Sequence, residues 1–138
     1  MVTMTPARLA TRHPRRISLT AGPRAAVEAR AEVRGAICAW DLPVDESDAV
    51  LLTSELVTNA IIHSAGETMT LVLACDQRRL RVDVHDTSSA MPETVEVAPD
   101  AEAGRGLLLV ATLAEAWGFY RTPWGKAVFF TLPFQDAC

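Results

Sequence analysis

The chain has 138 residues, a length at which one domain buries a substantial core. Its formal net charge of −4 at pH 7 argues against a general nucleic-acid binder, and no apolar run approaches the roughly 20 residues needed to cross a bilayer. The three cysteines have neither metal-ligand nor disulfide-framework spacing. We therefore expect a cytoplasmic protein with no direct nucleic-acid or membrane partner, and the use of arginine in preference to lysine is typical of a GC-rich bacterium.

The N-terminal segment differs in composition from the rest of the chain. Residues 1–27 contain arginines but no acidic residue. The segment has no interleaved aromatic residues and no attached DNA-reading motif, so a solvated tail is the expected state. We predict a disordered basic leader over residues 1–14, one domain over 15–134 and a short tail over 135–138.

The first two predicted elements are a strand and a helix. In the strand RRISLT, residues 15–20, the apolar side chains Ile17 and Leu19 alternate with polar ones. Residues 24–40 follow with apolar side chains recurring every three or four positions, which predicts a helix. Pro23 suits its first turn.

The second predicted helix carries an unusual polar stripe. It begins near Asp45, where acidic residues favour a helix N-terminus, and runs to about Ser64. Glu55, Asn59 and His63 follow one another at intervals of four and so lie one above the other. A buried carboxylate without a partner costs several kcal/mol, so the stripe implies a bound partner for Glu55.

The rest of this helix sets the surroundings of the stripe. At about 100° per residue, the stripe falls within an apolar sector formed by Leu51, Leu52, Leu56 and Ile62. The hydroxyl residues on the opposite side, which we expect to be wetter, are Thr53, Ser54 and Thr58.

A hairpin is predicted next, over residues 68–76 and 79–86, with a short turn between the strands. In its second strand, Asp86 ends the row of apolar residues on one face. The other face of that strand carries Arg81, Asp83 and His85.

The last part of the chain predicts a long polar connection, a third helix and two more strands. The helix spans residues 104–117 and begins with a Gly-x-Gly sequence, and the strands cover 118–121 and 126–133. This order of elements predicts an α+β fold. It would be a two-layer α/β sandwich whose mixed, mostly antiparallel sheet has the helices on one face.

Three polar features suit a nucleotide–magnesium site. Asn59 would offer a hard oxygen ligand to Mg²⁺, and Glu55 would hold a metal-bound water or accept a proton. Asp86 would accept hydrogen bonds from the amine of adenine. Gly104 and Gly106 would let phosphates approach the helix N-terminus.

Each feature also has a plainer explanation. Glu55 and Asn59 could form a satisfied buried hydrogen-bond pair, and Asp86 could begin an Asx turn. The Gly-x-Gly sequence could be only the end of a loop.

Four stretches resemble the GHKL superfamily of ATPases and kinases, which has the Bergerat ATP-binding fold. ELVTNAIIHS resembles its N-box, VDVHDTS and GRGLLLV resemble its two glycine boxes, and WGKAVFFTLP resembles its closing strand. Within the superfamily, the chain is similar to the anti-sigma-factor serine kinases of bacterial partner-switching systems. The resemblance covers residues 15–133.

The resemblance implies ATP and Mg²⁺ as ligands. Asn59 would be the magnesium ligand, Glu55 the catalytic carboxylate and Asp86 the adenine reader. The loop over residues 88–103 would be the nucleotide lid. The phosphate cradle would consist of Gly104, Arg105, Gly106 and Leu107.

Two further residues take roles only through the resemblance. Arg30, after an alanine in the first helix, would meet the partner protein and the nucleotide. His63 would either approach a phosphate or cap the end of its helix.

The resemblance implies a homodimeric Mg-ATP-dependent serine/threonine kinase. It would sequester a sigma factor and phosphorylate an anti-anti-sigma protein of the STAS type. Ser88 and Ala90 stand where the first glycine box has glycines, and Ala127 stands where the closing strand often has threonine. These departures keep open an alternative, a nucleotide-sensing or catalytically weak binding module that switches partners without kinase turnover.

Overall fold

The structure, a computed structural model, describes residues 14–63, 68–87 and 110–135. The elements in chain order are β1 (Arg15–Thr20), α1 (Ala25–Trp40), α2 (Glu46–His63), β2 (Thr68–Cys75), β3 (Arg79–Asp86), β4 (Ala116–Thr122) and β5 (Gly125–Pro133). The strands form a five-stranded sheet in the order β1-β2-β3-β5-β4. Every strand pair in these ranges is antiparallel, so this part of the sheet is not mixed. The α+β two-layer prediction is confirmed.

Local signals place the ends of the helices. Asp45 Oδ1 accepts a hydrogen bond from the Asp48 N–H at 2.9 Å, which caps the first turn of α2. At the end of α1, Asp41 adopts a left-handed backbone with φ 53°. The N–H groups of Asp41 and Leu42 then reach back to the carbonyls of α1, so the helix stops there.

The core lies between the two helices and one face of the sheet. Val33 on α1 and Leu56 on α2 are fully buried against strand residues such as Leu71, Val82 and Phe130. Burying each of these side chains contributes about 1.5–3 kcal/mol. The alternation of β3 therefore places Asp86 on the helix side of the sheet.

The third predicted helix is wrong at its C-terminal end. Residues 110–113 are helical, but β4 begins at Ala116, two residues before the predicted strand. Trp117 and Phe119 lie on the core face of β4 and contact each other edge to face. Two aromatic side chains at strand spacing bury more surface in the sheet than one helical turn would allow. The start of this helix lies outside the described residues.

Residues 1–13 of the leader predicted over 1–14 also lie outside them, so its disorder and the domain limits at 15 and 134 stay predictions. None of the described helices is long and apolar enough to cross a bilayer.

Candidate functional site

The polar stripe of α2 lies along the border of the helix's buried side. Asn59 is buried, Glu55 is half-buried, and Leu52 beyond them is fully buried. Leu51 and Ile62, on the other side of the stripe, are 39% and 52% exposed. The stripe therefore separates the core from solvent instead of lying inside an apolar sector.

Thr53 corrects the predicted orientation of the helix. Its side chain is fully buried, whereas Thr58 is exposed and Ser54 is half-buried. Helix α2 packs against α1 as well as on the sheet. Because two neighbours cover α2, its buried arc is wider than the pattern of apolar residues within α2 indicates, and it includes Thr53.

Asn59 supplies an oxygen that fits a metal ion. Its Oδ1 atom is buried and has no hydrogen-bond partner among the residues that the structure describes. Leaving a buried acceptor unsatisfied costs about 1–3 kcal/mol, and the satisfied Glu55–Asn59 pair would have removed that cost. A hard amide oxygen of this kind suits Mg²⁺, which also takes phosphate oxygens and waters.

Burying the charge of Glu55 costs less in this structure than its position in the sequence suggested. Because its side chain is half-buried, water still reaches the carboxylate. The argument that a buried charge requires a bound partner is therefore wrong for this residue. A carboxylate in contact with water, one helical turn before Asn59, remains suited to accepting a proton.

Arg30 is positioned next to the stripe by a contact between the helices. Its Nη1 donates a hydrogen bond to Ser54 Oγ at 3.1 Å. Ser54 directly precedes Glu55, so α1 brings a guanidinium group to the same region of α2. The predicted role of Arg30 with a partner or phosphate stays a prediction.

Asp86 lies at the end of β3 on the helix side of the sheet, directly opposite Lys126 on β5. Lys126 Nζ is 3.4 Å from Asp86 Oδ2, and each side chain is 3% exposed. The two groups form an ion pair that is longer than a usual charge-assisted hydrogen bond, and within the described residues Nζ donates no hydrogen bond. A buried ammonium group with no hydrogen bond is unusual.

Lys126 was not among the predicted site residues. Two signals were available. It is the single lysine of the chain, and its position two residues before Val128 places it on the apolar face of its strand. A lysine at a core position of a central strand indicates a buried partner.

The opposite face of the sheet carries a second polar network. Arg81 forms a two-point ion pair with Asp83, with its Nε 2.8 Å and its Nη2 3.0 Å from the two carboxylate oxygens. Tyr120 donates its hydroxyl to Asp83 Oδ2 at 2.6 Å, and the Arg81 guanidinium lies 4.0 Å from the centre of the Phe129 ring. This network lines a groove of about 690 Å³ on the face that the helices do not cover.

Burial and charge shift the titration of this network. Burial and then the Asp83 carboxylate raise the pKa of Tyr120. Burial lowers the pKa of Arg81, but the hydrogen bond and charge of Asp83 outweigh it and raise that pKa overall. Burial lowers the pKa of His85. Because both pKa values are raised, Arg81 stays charged and the Tyr120 hydroxyl stays protonated near neutral pH.

Several predicted site residues lie outside the described residues. These are the phosphate cradle Gly104, Arg105, Gly106 and Leu107, and the lid with Ser88 and Ala90. His63 is the last residue of α2, and its side chain is also outside them. Within the described residues, α2 contacts β3 and β5. The helix that carries Glu55 and Asn59 therefore lies next to the strand that carries Asp86.

Comparison with known proteins identifies relatives of this fold. Residues 19–132 match the family described as histidine kinase-like ATPase domain. The crystal structure of the RsbU and RsbW domains of Rv1364c from Mycobacterium tuberculosis is similar, with a TM-score of 0.62 and 23% identity over 91% of this chain. The match covers 34% of that longer chain, and at this identity it shows a shared fold. A comparison with curated protein sequences gave no significant match.

Proposed function

The chain belongs to the family of histidine kinase-like ATPase domains, and from this membership we propose that it is a Mg-ATP-dependent protein serine/threonine kinase of the anti-sigma type. It would act in the cytoplasm, sequester a sigma factor and phosphorylate a serine on a STAS-type antagonist. Its N-box resemblance and its fold similarity to a structure that contains an RsbW domain support this proposal.

The observation that carries the proposal is the buried Oδ1 of Asn59, which has no partner within the described ranges and lies one helical turn beyond the half-buried Glu55. A core asparagine that served only the fold would be expected to satisfy its oxygen. An oxygen ligand for the cation, one helical turn after a carboxylate in contact with water, suits metal-assisted phosphoryl transfer.

Each residue then has a defined task. Asn59 holds the cation through its oxygen, and Glu55 accepts the proton that the attacking serine hydroxyl loses. When bound, Mg-ATP supplies the phosphoryl group and the cation that neutralises its charge. Asp86 accepts a hydrogen bond from the adenine amine. A carboxylate has about four lone-pair sites, so Asp86 can accept this hydrogen bond while it also contacts Lys126.

The test is phosphate transfer from radiolabelled ATP to a STAS-type antagonist taken from the native organism. Glu55→Gln should reduce the rate at least about 100-fold, the size of a general-base contribution. Nucleotide affinity should change little, because the amide keeps the shape of the side chain. Glu46→Gln is the matched control, since Glu46 is an exposed glutamate in the first turn of the same helix. Equal rates for both variants would show that Glu55 is not the base.

The Asp86–Lys126 ion pair favours a second candidate, a partner-switching module with weak or no turnover. The lysine ammonium already lies against the carboxylate that would read adenine. Calorimetry separates the two functions. Saturable heat with Mg-ATP supports the kinase, whereas no saturation at millimolar nucleotide leaves only the binding role.

We also propose that the protein forms a homodimer. The exposed Trp124, 79% accessible in the turn between β4 and β5, is an apolar group that association would cover. Sedimentation velocity of the wild type and of Trp124→Ser tests this, and a monomer at all concentrations would contradict it.

A further inference from the structure

Lys126 presents a buried donor group next to the proposed adenine reader. Its side chain is 3% exposed, and its Nζ atom donates no hydrogen bond within the described structure. An ammonium group has three N–H donors, and burying them unused is costly. A ligand atom that accepts a hydrogen bond would remove this cost.

Within the described residues, the ion pair leaves the N–H donors of Lys126 without a hydrogen bond to Asp86. Charge-assisted N–H···O hydrogen bonds are usually about 2.7–2.9 Å long, whereas Nζ and Oδ2 are 3.4 Å apart. Asp86 and Lys126 are register partners on adjacent strands and lie on the same face of the sheet. The pair therefore presents one acceptor and one donor side by side.

We propose that Lys126 donates a hydrogen bond to the ring nitrogen N1 of adenine while Asp86 accepts one from the neighbouring 6-amino group. This inference rests on the proposed function, because it takes the Asp86 end of β3 as the base site. Lys126 is then a specificity-determining residue of the nucleotide site, which the sequence comparison with the superfamily did not assign.

The chemistry of the base edge makes this arrangement selective. Adenine carries a donor at position 6 and an unprotonated N1, which match the carboxylate and the ammonium group in that order. Guanine carries a carbonyl oxygen at position 6 and a hydrogen on N1, so both contacts would be reversed. Asp86 would face an acceptor and Lys126 a donor, so neither contact could form and the Lys126 ammonium group would gain no hydrogen bond from the base.

The experiment is calorimetric titration of the full chain with Mg²⁺ and either ATP or 1-deaza-ATP, in which a C–H group replaces N1. The wild type should bind ATP about 10- to 100-fold more tightly, the loss expected when a charged donor loses its acceptor. Lys126→Met removes the donor at similar volume, so the variant should bind ATP and 1-deaza-ATP with affinities equal within about 2-fold. The test compares this ratio of affinities with the ratio in the wild type. Lys126→Gln keeps a neutral NH₂ donor group and should retain part of the preference.

A third nucleotide distinguishes the loss of the Lys126 hydrogen bond to N1 from an indirect effect of the substitution on the contact between Asp86 and the 6-amino group. The triphosphate of purine riboside lacks the 6-amino group and should bind more weakly than ATP by the same factor in the wild type and in Lys126→Met. Equal affinity of the wild type for ATP and 1-deaza-ATP overturns the inference, and so does a preference that survives in Lys126→Met. The wild-type comparison decides the question even if the variant fails to fold. No binding of any of the three nucleotides would instead refute the proposed function, and the inference with it.

Discussion

Gly125 at the start of β5 lies against the backbone of Asp86 at the end of β3. A Cβ atom added at Gly125 would overlap the carbonyl oxygen of Asp86 and the backbone of Thr87. Both obstacles are main-chain atoms, so neither can move aside as a flexible side chain would. Glycine at this position therefore lets the two strand ends that carry Asp86 and Lys126 pair closely.

Gly125→Ala should destabilise the protein. We expect the free energy of unfolding to fall by about 1–3 kcal/mol, the cost of overpacking a closed site. Gly35→Ala is the matched control. Gly35 is exposed in α1, where a Cβ atom would meet only the end of the Arg15 side chain at 3.4 Å. The control should gain about 0.5–1 kcal/mol from helix propensity, and urea unfolding measures both. Equal stability of the Gly125→Ala variant and the wild type would show that the strand ends have room to separate.

Asn59→Leu should separate stability from ligand binding. Removing an unsatisfied buried oxygen should leave the free energy of unfolding unchanged or raise it by about 1 kcal/mol. Mg-dependent ATP affinity should fall at least about 10-fold if Asn59 is the metal ligand. Thr53→Val is the control, because Thr53 Oγ1 is also buried without a partner and has no proposed ligand role. Thermal unfolding and calorimetry together give the two readouts. A strong loss of stability in Asn59→Leu alone would indicate a structural role.

Tyr120→Phe should weaken the network on the uncovered face of the sheet. The tyrosine hydroxyl donates a 2.6 Å hydrogen bond to the buried Asp83 carboxylate. Its loss should lower the free energy of unfolding by about 1.5–3 kcal/mol, the range for hydrogen bonds to charged groups. The phenylalanine ring retains the packing against Phe129, so urea unfolding isolates the effect of the hydroxyl. A change below about 0.5 kcal/mol would mean that water replaces the tyrosine at Asp83.

The stability of the protein should fall as the pH decreases below about 6.5, the ordinary pKa of histidine. Burial lowers the pKa of His85 in the folded state, and the nearby Arg16 and Arg81 also lower it, although Asp83 opposes them. Between the ordinary and the lowered pKa, the unfolded chain binds more protons than the folded one. The stabilising contribution is therefore complete above pH 6.5 and is lost as the pH falls toward the folded pKa.

The contribution of one group cannot exceed about 1.4 kcal/mol per pH unit. His85→Gln should reduce the slope of the free energy of unfolding between pH 7 and pH 5. Comparing the two proteins cancels the contributions of the other titrating groups. A steeper slope in the variant would show that the folded state favours the charged imidazole.

Short-range signals predicted most of the fold. The alternation of Ile17 and Leu19 placed β1, Asp45 marked the beginning of α2, and the β2–β3 hairpin was found from two alternating runs. These features depend on neighbours within a few residues, so the sequence contains them in full. The end of the third helix was missed because Trp117 belongs to a strand through its pairing with β5, a contact between distant segments.

For the candidate site, the sequence alone determined the identity and spacing of the acid, the amide and the Asp86 carboxylate, since a helical repeat and a strand alternation are local properties. Only the tertiary structure decided which of these groups lose contact with water. It buried Thr53 through the packing of α1 on α2, left Glu55 half-exposed, and placed the ammonium group of Lys126 against Asp86 across two strands. Burial and ion pairing depend on segments that meet only when the chain has folded. The local pattern of residues does not show which distant segments will pack together.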